Sequence, residues 1–148
     1  MTTMTTQEIK FQLVDRKSKV ELPDELVFGR NFTDHIFSMD YNDKDGWVNP
    51  TIKKFESFSM SPAAMALHYG QAIFEGLKAY KQDDGRIALF RPEQNFARLN
   101  NSSKRLCMPE TDTDFLVHAL KELVKVDQDW IPTKPGHSLY VRPVVFAT

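Results

Sequence analysis

One cysteine, Cys107, stands among 148 residues, so the chain can form no internal disulfide and has no Cys-x-x-Cys pair to hold zinc or cycle electrons. A reducing, cytoplasmic setting is therefore expected. No run of about 18 apolar residues occurs, and the opening MTTMTTQEIK lacks the apolar core of a signal peptide, so neither a membrane span nor export by that route is expected. No block of lysine and arginine stands out, and 19 basic against 20 acidic side chains leave a net charge of -1. Neither a nucleic-acid backbone nor an anionic membrane is an expected partner. The four histidines, His35, His68, His118 and His137, are scattered without metal-ligand spacing, and no metal site is expected. Glycine-rich nucleotide loops, internal repeats and low-complexity segments are also missing.

What is present suits one globular domain. A chain of this length can bury about 70% of its unfolded surface without staples. Residues 8–14 alternate as a strand does, and a charged, proline-containing loop then leads to LVFGR. Residues 35–42 read as a second strand, NDKDG as a turn, and residues 47 to 59 as a returning strand broken near Pro50. FEGLKAY, KQDDGR and IALF form a stronger hairpin signal, because Asp84-Gly85 supplies the positive-φ positions of a tight turn. In RPEQNFARLNNSSKRL, Pro92 suits a first helical turn, Phe96, Leu99, Ser103 and Leu106 share one face, and Pro109 ends the helix. A second helix opens at TDTD, buries Leu116, Ala119, Leu120 and Leu123 with help from Phe115, and stops near Trp130 and Pro132. SLYVRPVVFAT is a strand, expected to be central because Val144 to Ala147 is continuously apolar. Together these elements predict an α+β fold, an antiparallel sheet with two helices packed on it.

Four groups of residues offer chemistry. FEGLKAY places Glu75 near Lys78, which suggests a reactive amine, but strand alternation sends Phe74, Gly76, Lys78 and Tyr80 to one face and Glu75, Leu77 and Ala79 to the other. Lys78 is accordingly assigned to structure or to the rim of a site. In SLYVRP, Tyr140 and Arg142 share a face, where the guanidinium fork could take a carboxylate or simply pair with a local acid. Arg91, Arg98 and Arg105 recur every seven residues opposite the apolar helix face, a row that could meet a phosphate or be the solvated side. Tyr69 and Phe74, amid small residues, could line an apolar pocket or pack in the core.

Taken in order and at these separations, HYGQAIFEGLKAY, LFRPEQNFARL and SLYVRP resemble the branched-chain amino acid aminotransferases, and GRNFTDHIF extends the match from about LVFGR to Thr148. The resemblance implies a fold-type IV enzyme that uses pyridoxal 5'-phosphate to move amino groups between leucine, isoleucine or valine and 2-oxoglutarate. Its partners would be amino acid and 2-oxo acid substrates and a second subunit of a homodimer. Arg98 matches the arginine that holds the cofactor phosphate, while Arg91 and Arg105 gain no role. Tyr140 and Arg142 match the pair on the substrate side, where Arg142 would take the second carboxylate of glutamate. Tyr69, Phe74 and Phe28 match pocket residues.

The match also implies what to expect of the whole. Residues 1–148 look like the small N-terminal α+β domain of a two-domain enzyme. The Schiff-base lysine belongs to a C-terminal domain that this sequence does not contain, so no catalytic lysine is assigned and the chain alone is expected to be inactive and to bind cofactor poorly. Separation from that domain would also leave apolar surface exposed. Two other readings stand beside this one: a complete non-catalytic module binding a small carboxylate or a partner through Tyr140 and Arg142, and a fold-type IV relative such as a D-amino acid aminotransferase or an aminodeoxychorismate lyase.

Overall fold

The structure is a computed structural model that describes residues 7–15 and 20–148; the first residues and part of the expected charged loop lie outside them. Among the described residues, three small sheets and three helices follow in the order β1 (Lys10–Gln12), β2 (His35–Asn42), β3 (Gly46–Lys54), α1 (Met65–Tyr69), β4 (Ala72–Phe74), β5 (Leu77–Lys81), β6 (Ile87–Leu89), α2 (Pro92–Arg105), α3 (Thr113–Val126), β7 (Leu139–Val141) and β8 (Val144–Phe146). The fold is α+β, as the sequence predicts. Pairing is antiparallel except that β1 runs parallel to β3.

The β2–β3 hairpin continues through Pro50 and absorbs it as a bulge. Ser38 pairs with Thr51 but Asp40 pairs with Val48, so β3 carries one extra residue there, and Asn49 takes φ 56°. In the β5–β6 hairpin the turn forms at the predicted dipeptide: Gly85 has φ 83°, and Gln82 N–H donates to the Arg86 carbonyl at 2.8 Å. The sequence reading missed the short α1, which ends at Gly70 in the left-handed region.

Helix α2 buries Phe96, Leu99 and Ser103 as expected, but Leu106 is exposed, because it is the C-cap, past the last helical residue Arg105, and no longer follows the helical face. Cys107 at φ 54° closes a Schellman turn, in which Met108 N–H donates to the Ser103 carbonyl at 2.9 Å and Cys107 N–H to that of Lys104 at 3.3 Å. The helix therefore ends before Pro109. Helix α3 starts where predicted, with the Asp112 carboxylate accepting from Phe115 N–H at 2.8 Å. Ile73, Leu77, Phe96, Leu99, Leu116 and Leu120 meet in the main core, and Ile9, Ile52 and Ala119 form a smaller one with Phe37, Phe115 and Leu123 packed on it.

The expected single central strand at 138–148 is corrected in two respects. It is split into β7 and β8, and β7 is an edge strand in the order β6-β5-β7 while β8 pairs with β4. Pro143 accounts for the split, since its nitrogen has no hydrogen to give to a ladder. Among the described residues, no helix is long and apolar enough to cross a membrane.

A buried clasp ties the β1-β3-β2 sheet to the end of α3. Asp127, just past the helix, accepts from His35 N–H at 3.1 Å and lies 2.7 Å from His35 Nδ1, while Val14 N–H donates to His35 Nε2 at 3.0 Å. Because Nε2 accepts, Nδ1 carries the proton and donates to Asp127. These two side chains and Asp34 bring ligand-type atoms within 4.8 Å of one another, yet the imidazole lone pair is used by Val14 and Asp34 accepts from the Trp130 indole at 3.2 Å. The cluster is thus internally hydrogen-bonded. Asp127→Ala would strand two buried donors and is expected to destabilise the chain by about 3 kcal/mol, read as a lower urea midpoint.

Candidate functional site

Residues 72–79 and 139–146 keep one antiparallel register on both sides of the split: Phe74 pairs with Val144, and Leu77 with Val141. Within the gap Glu75 stands opposite Pro143 and Gly76 opposite Arg142. Glu75 N–H still donates to the Pro143 carbonyl at 3.0 Å, but the return bond is impossible. The candidate site is built around this interruption.

One face of the ladder is open. It carries Phe74, Gly76 and Lys78 on one strand and Tyr140 and Arg142 on the other. Arg142 is anchored twice to one oxygen, its Nε and Nη2 donating to the Tyr140 hydroxyl at 3.1 and 2.8 Å. Its guanidinium also lies 4.3 Å from the centre of the Phe74 ring, a cation–π arrangement. Phe28 completes the group, edge-on to Tyr140 with centroids 5.2 Å apart. It projects from a turn in which Arg30 N–H donates to the Val27 carbonyl at 3.1 Å and Gly29 takes φ 78°. Among the described residues Arg142 makes no ion pair, so the local-acid reading of this arginine is not realised. Phe28 and Phe74 are 75% and 61% exposed, an unusual state for phenylalanine and one suited to an apolar wall.

Gly76 makes the arrangement possible. A Cβ there would collide with the Tyr140 hydroxyl, so the phenol lies directly over the bare backbone. One predicted pocket residue stands apart from this cluster, and one predicted rim residue lies at its edge. Tyr69, 78% exposed at the end of α1, has His68 as its ring neighbour at 6.5 Å. Lys78 is exposed beside Tyr140 in register and separate from Glu75, as strand alternation predicts.

Arg98 belongs to the other side of the ladder. Its Nε and Nη2 donate to the two Glu75 carboxylate oxygens at 3.0 Å each, a bidentate pair. Asn95, one turn earlier and buried, donates to Glu75 at 3.1 Å and to the Gly76 carbonyl at 3.0 Å. The sequence reading missed this use of Glu75 and Asn95. The available signal was an acid alternating with buried Leu77 and Ala79, since a carboxylate on the inward face requires a partner. Two of the five guanidinium donors of Arg98 go to Glu75, which leaves three for an anion, and 59% exposure of the side chain gives that anion access. Arg98 thus fits a phosphate, although no contact joins it to Tyr140 or Arg142 among the described residues.

Burial alone would push the Glu75 carboxyl up, but hydrogen bonds from Arg98 and Asn95, the Arg98 charge and the Gly76 amide together hold it below its ordinary value. The Glu75 hydrogen bond and charge raise Arg98 further above the working range. A carboxyl depressed on folding contributes stability above its unfolded value, about 4.3, and loses it as pH falls through the folded value. Acidification from pH 6 to pH 3 should therefore weaken the native chain more than Glu75→Gln, as measured by urea unfolding at each pH. Gly76→Ala should displace the Tyr140 ring, with loss of the Phe28–Tyr140 contact in nuclear Overhauser spectra and a cost of about 1 to 3 kcal/mol from overpacking.

Profiles of protein families give no match to the chain. Among curated proteins it is 50% identical over 145 residues to branched-chain-amino-acid aminotransferase 2 of Bacillus subtilis (strain 168), an alignment covering 98% of this chain and 40% of that protein. A probable branched-chain-amino-acid aminotransferase of Staphylococcus epidermidis is 52% identical over 145 residues, covering 97% and 40%. The chain thus spans about 40% of the length of these relatives. Solved structures agree on the fold. The branched-chain amino acid aminotransferase of Escherichia coli aligns with TM-score 0.53 and 27% identity over 65% of this chain and 30% of its own. That of the thermophilic archaeon Thermoproteus uzoniensis, solved with norvaline, aligns with TM-score 0.53 and 25% identity over 64% and 30%.

Proposed function

Because the chain belongs to the branched-chain aminotransferase family, we propose that it is the small N-terminal domain of a two-domain, homodimeric, cytoplasmic enzyme that moves the amino group of leucine, isoleucine or valine to 2-oxoglutarate. The observation that carries this reading is the open face at the ladder's interruption, where an arginine with no acidic partner among the described residues is fixed between Tyr140 and Phe74. Arg142 there receives the second carboxylate of glutamate or 2-oxoglutarate, with Tyr140 holding the guanidinium plane in place. Phe28, Phe74 and, from the end of α1, Tyr69 offer apolar wall to a branched side chain. Arg98, with donors left over from Glu75, would hold the cofactor phosphate. Pyridoxal 5'-phosphate, when bound, supplies the electron sink for amino-group transfer. The Schiff-base lysine comes from outside this chain, which is therefore inactive by itself.

A non-catalytic carboxylate-binding module would use the same Arg142, and the two readings part on turnover. In the complete enzyme, Arg142→Gln should raise KM for 2-oxoglutarate roughly tenfold to a hundredfold, as loss of a charged hydrogen bond would, and leave KM for leucine within about twofold. Equal effects on both substrates would remove Arg142 from the second-carboxylate role. Leucine transamination by the 148-residue chain with pyridoxal phosphate alone would overturn its proposed inactivity. Faster turnover of D-alanine than of leucine by the complete enzyme would move the reading to the D-amino acid relatives.

A further inference from the structure

An arginine that must meet a phosphate from solvent has a difficulty. Its side chain is long, and its rotamer freedom opposes fixing it in one place. Arg98 is 59% exposed, whereas Glu75 beneath it is 13% exposed and Asn95 is buried. The exposed cation is therefore held by a carboxylate that is itself held: Asn95 Nδ2 donates both to Glu75 Oε2 and to the Gly76 carbonyl, tying helix α2 to the backbone between β4 and β5. The bidentate contact uses the Nε edge of the guanidinium and turns its opposite edge outward.

We infer that Glu75, fixed by Asn95, is a positioning residue that pre-orients the Arg98 guanidinium for an anion of the phosphate-ester class. This rests on the proposed function, in which Arg98 holds the cofactor phosphate, and adds to it a role for an acid next to an anion site. The sign of the effect separates positioning from simple charge. On charge alone, neutralising a carboxylate beside a phosphate site tightens binding, because one repulsion is removed. Positioning predicts the reverse, because the guanidinium loses its fixed plane and its freedom must be removed on binding.

The test uses the complete enzyme stripped of cofactor and titrated with pyridoxal 5'-phosphate by absorbance, with the thermal midpoint recorded for each variant. Glu75→Gln should weaken cofactor affinity roughly tenfold, the lower end of what loss of an orienting partner costs. The same change in an Arg98→Ala background should cost less than about twofold, because there is then no guanidinium to orient. Glu75→Asp, which keeps the charge but withdraws it by one methylene, should fall between the native protein and Glu75→Gln. Tighter or unchanged binding by Glu75→Gln, or equal losses in both backgrounds, would overturn the inference. If Arg98→Ala leaves affinity unchanged, the phosphate role of Arg98 fails and the inference falls with it. If Arg98→Ala weakens binding but Glu75→Gln does not, only the positioning role fails. A measurement needing no variant stands beside these: in the 148-residue chain, the Arg98 Nε–H signal should be resolved and slow to exchange in nitrogen-15 spectra. Averaging of that signal with those of free surface arginines would overturn the clamp.

Discussion

Pro143 has no amide hydrogen, and the arrangement of the site follows from that constraint. The pairing of residues 72–79 with 139–146 would otherwise be one uninterrupted ladder, since its register is the same before and after the gap. At the gap the backbone keeps the bond from Glu75 to the Pro143 carbonyl and forgoes its return. The neighbouring positions are then occupied by a residue without a side chain, Gly76, and by the arginine opposite it. A phenol fills the space above the glycine and fixes that arginine.

Two functions of the ladder depend on its alternation. The inward positions Leu77 and Ala79 are buried in the main core, and Glu75 on the same side reaches α2. The outward positions Phe74 and Arg142 form the open face. The candidate phosphate arginine and the candidate carboxylate arginine consequently lie on opposite sides of a pair of strands, connected through the Glu75-Gly76 backbone. Asn95 touches both residues of that dipeptide, so helix α2 and the ladder are joined at the point where the strands stop pairing.

Local chemistry was legible in the sequence and remote partnership was less so. The turn at Gly85, the start of α3 at Asp112 and the inward face of α2 are set by neighbours a few residues away, and all three were readable. Alternation alone also separated Glu75 from Lys78. The division of the last strand was missed because an apolar run outweighed a single proline, and the end of α2 was misjudged because Cys107 adopts a conformation usually left to glycine. Glu75 and Arg98 are 23 residues apart, and no periodicity connects them. Alternation and small neighbours already singled out Tyr140, Arg142 and Phe74, whereas Phe28 was named from motif resemblance alone, and its contact emerges only when it is brought from a distant turn onto Tyr140.

The common register of β4–β8 and β5–β7 has a consequence for fidelity of assembly. Because strand faces alternate, a slip of one residue would turn Phe74 and Gly76 toward the core and Leu77 and Ala79 toward solvent. Such a one-residue slip could not keep a sealed interior while scrambling the open face, or the reverse. For errors of that kind, whatever detects exposed apolar core also detects a misplaced Arg142 and Glu75, so one burial constraint guards both the interior and the site.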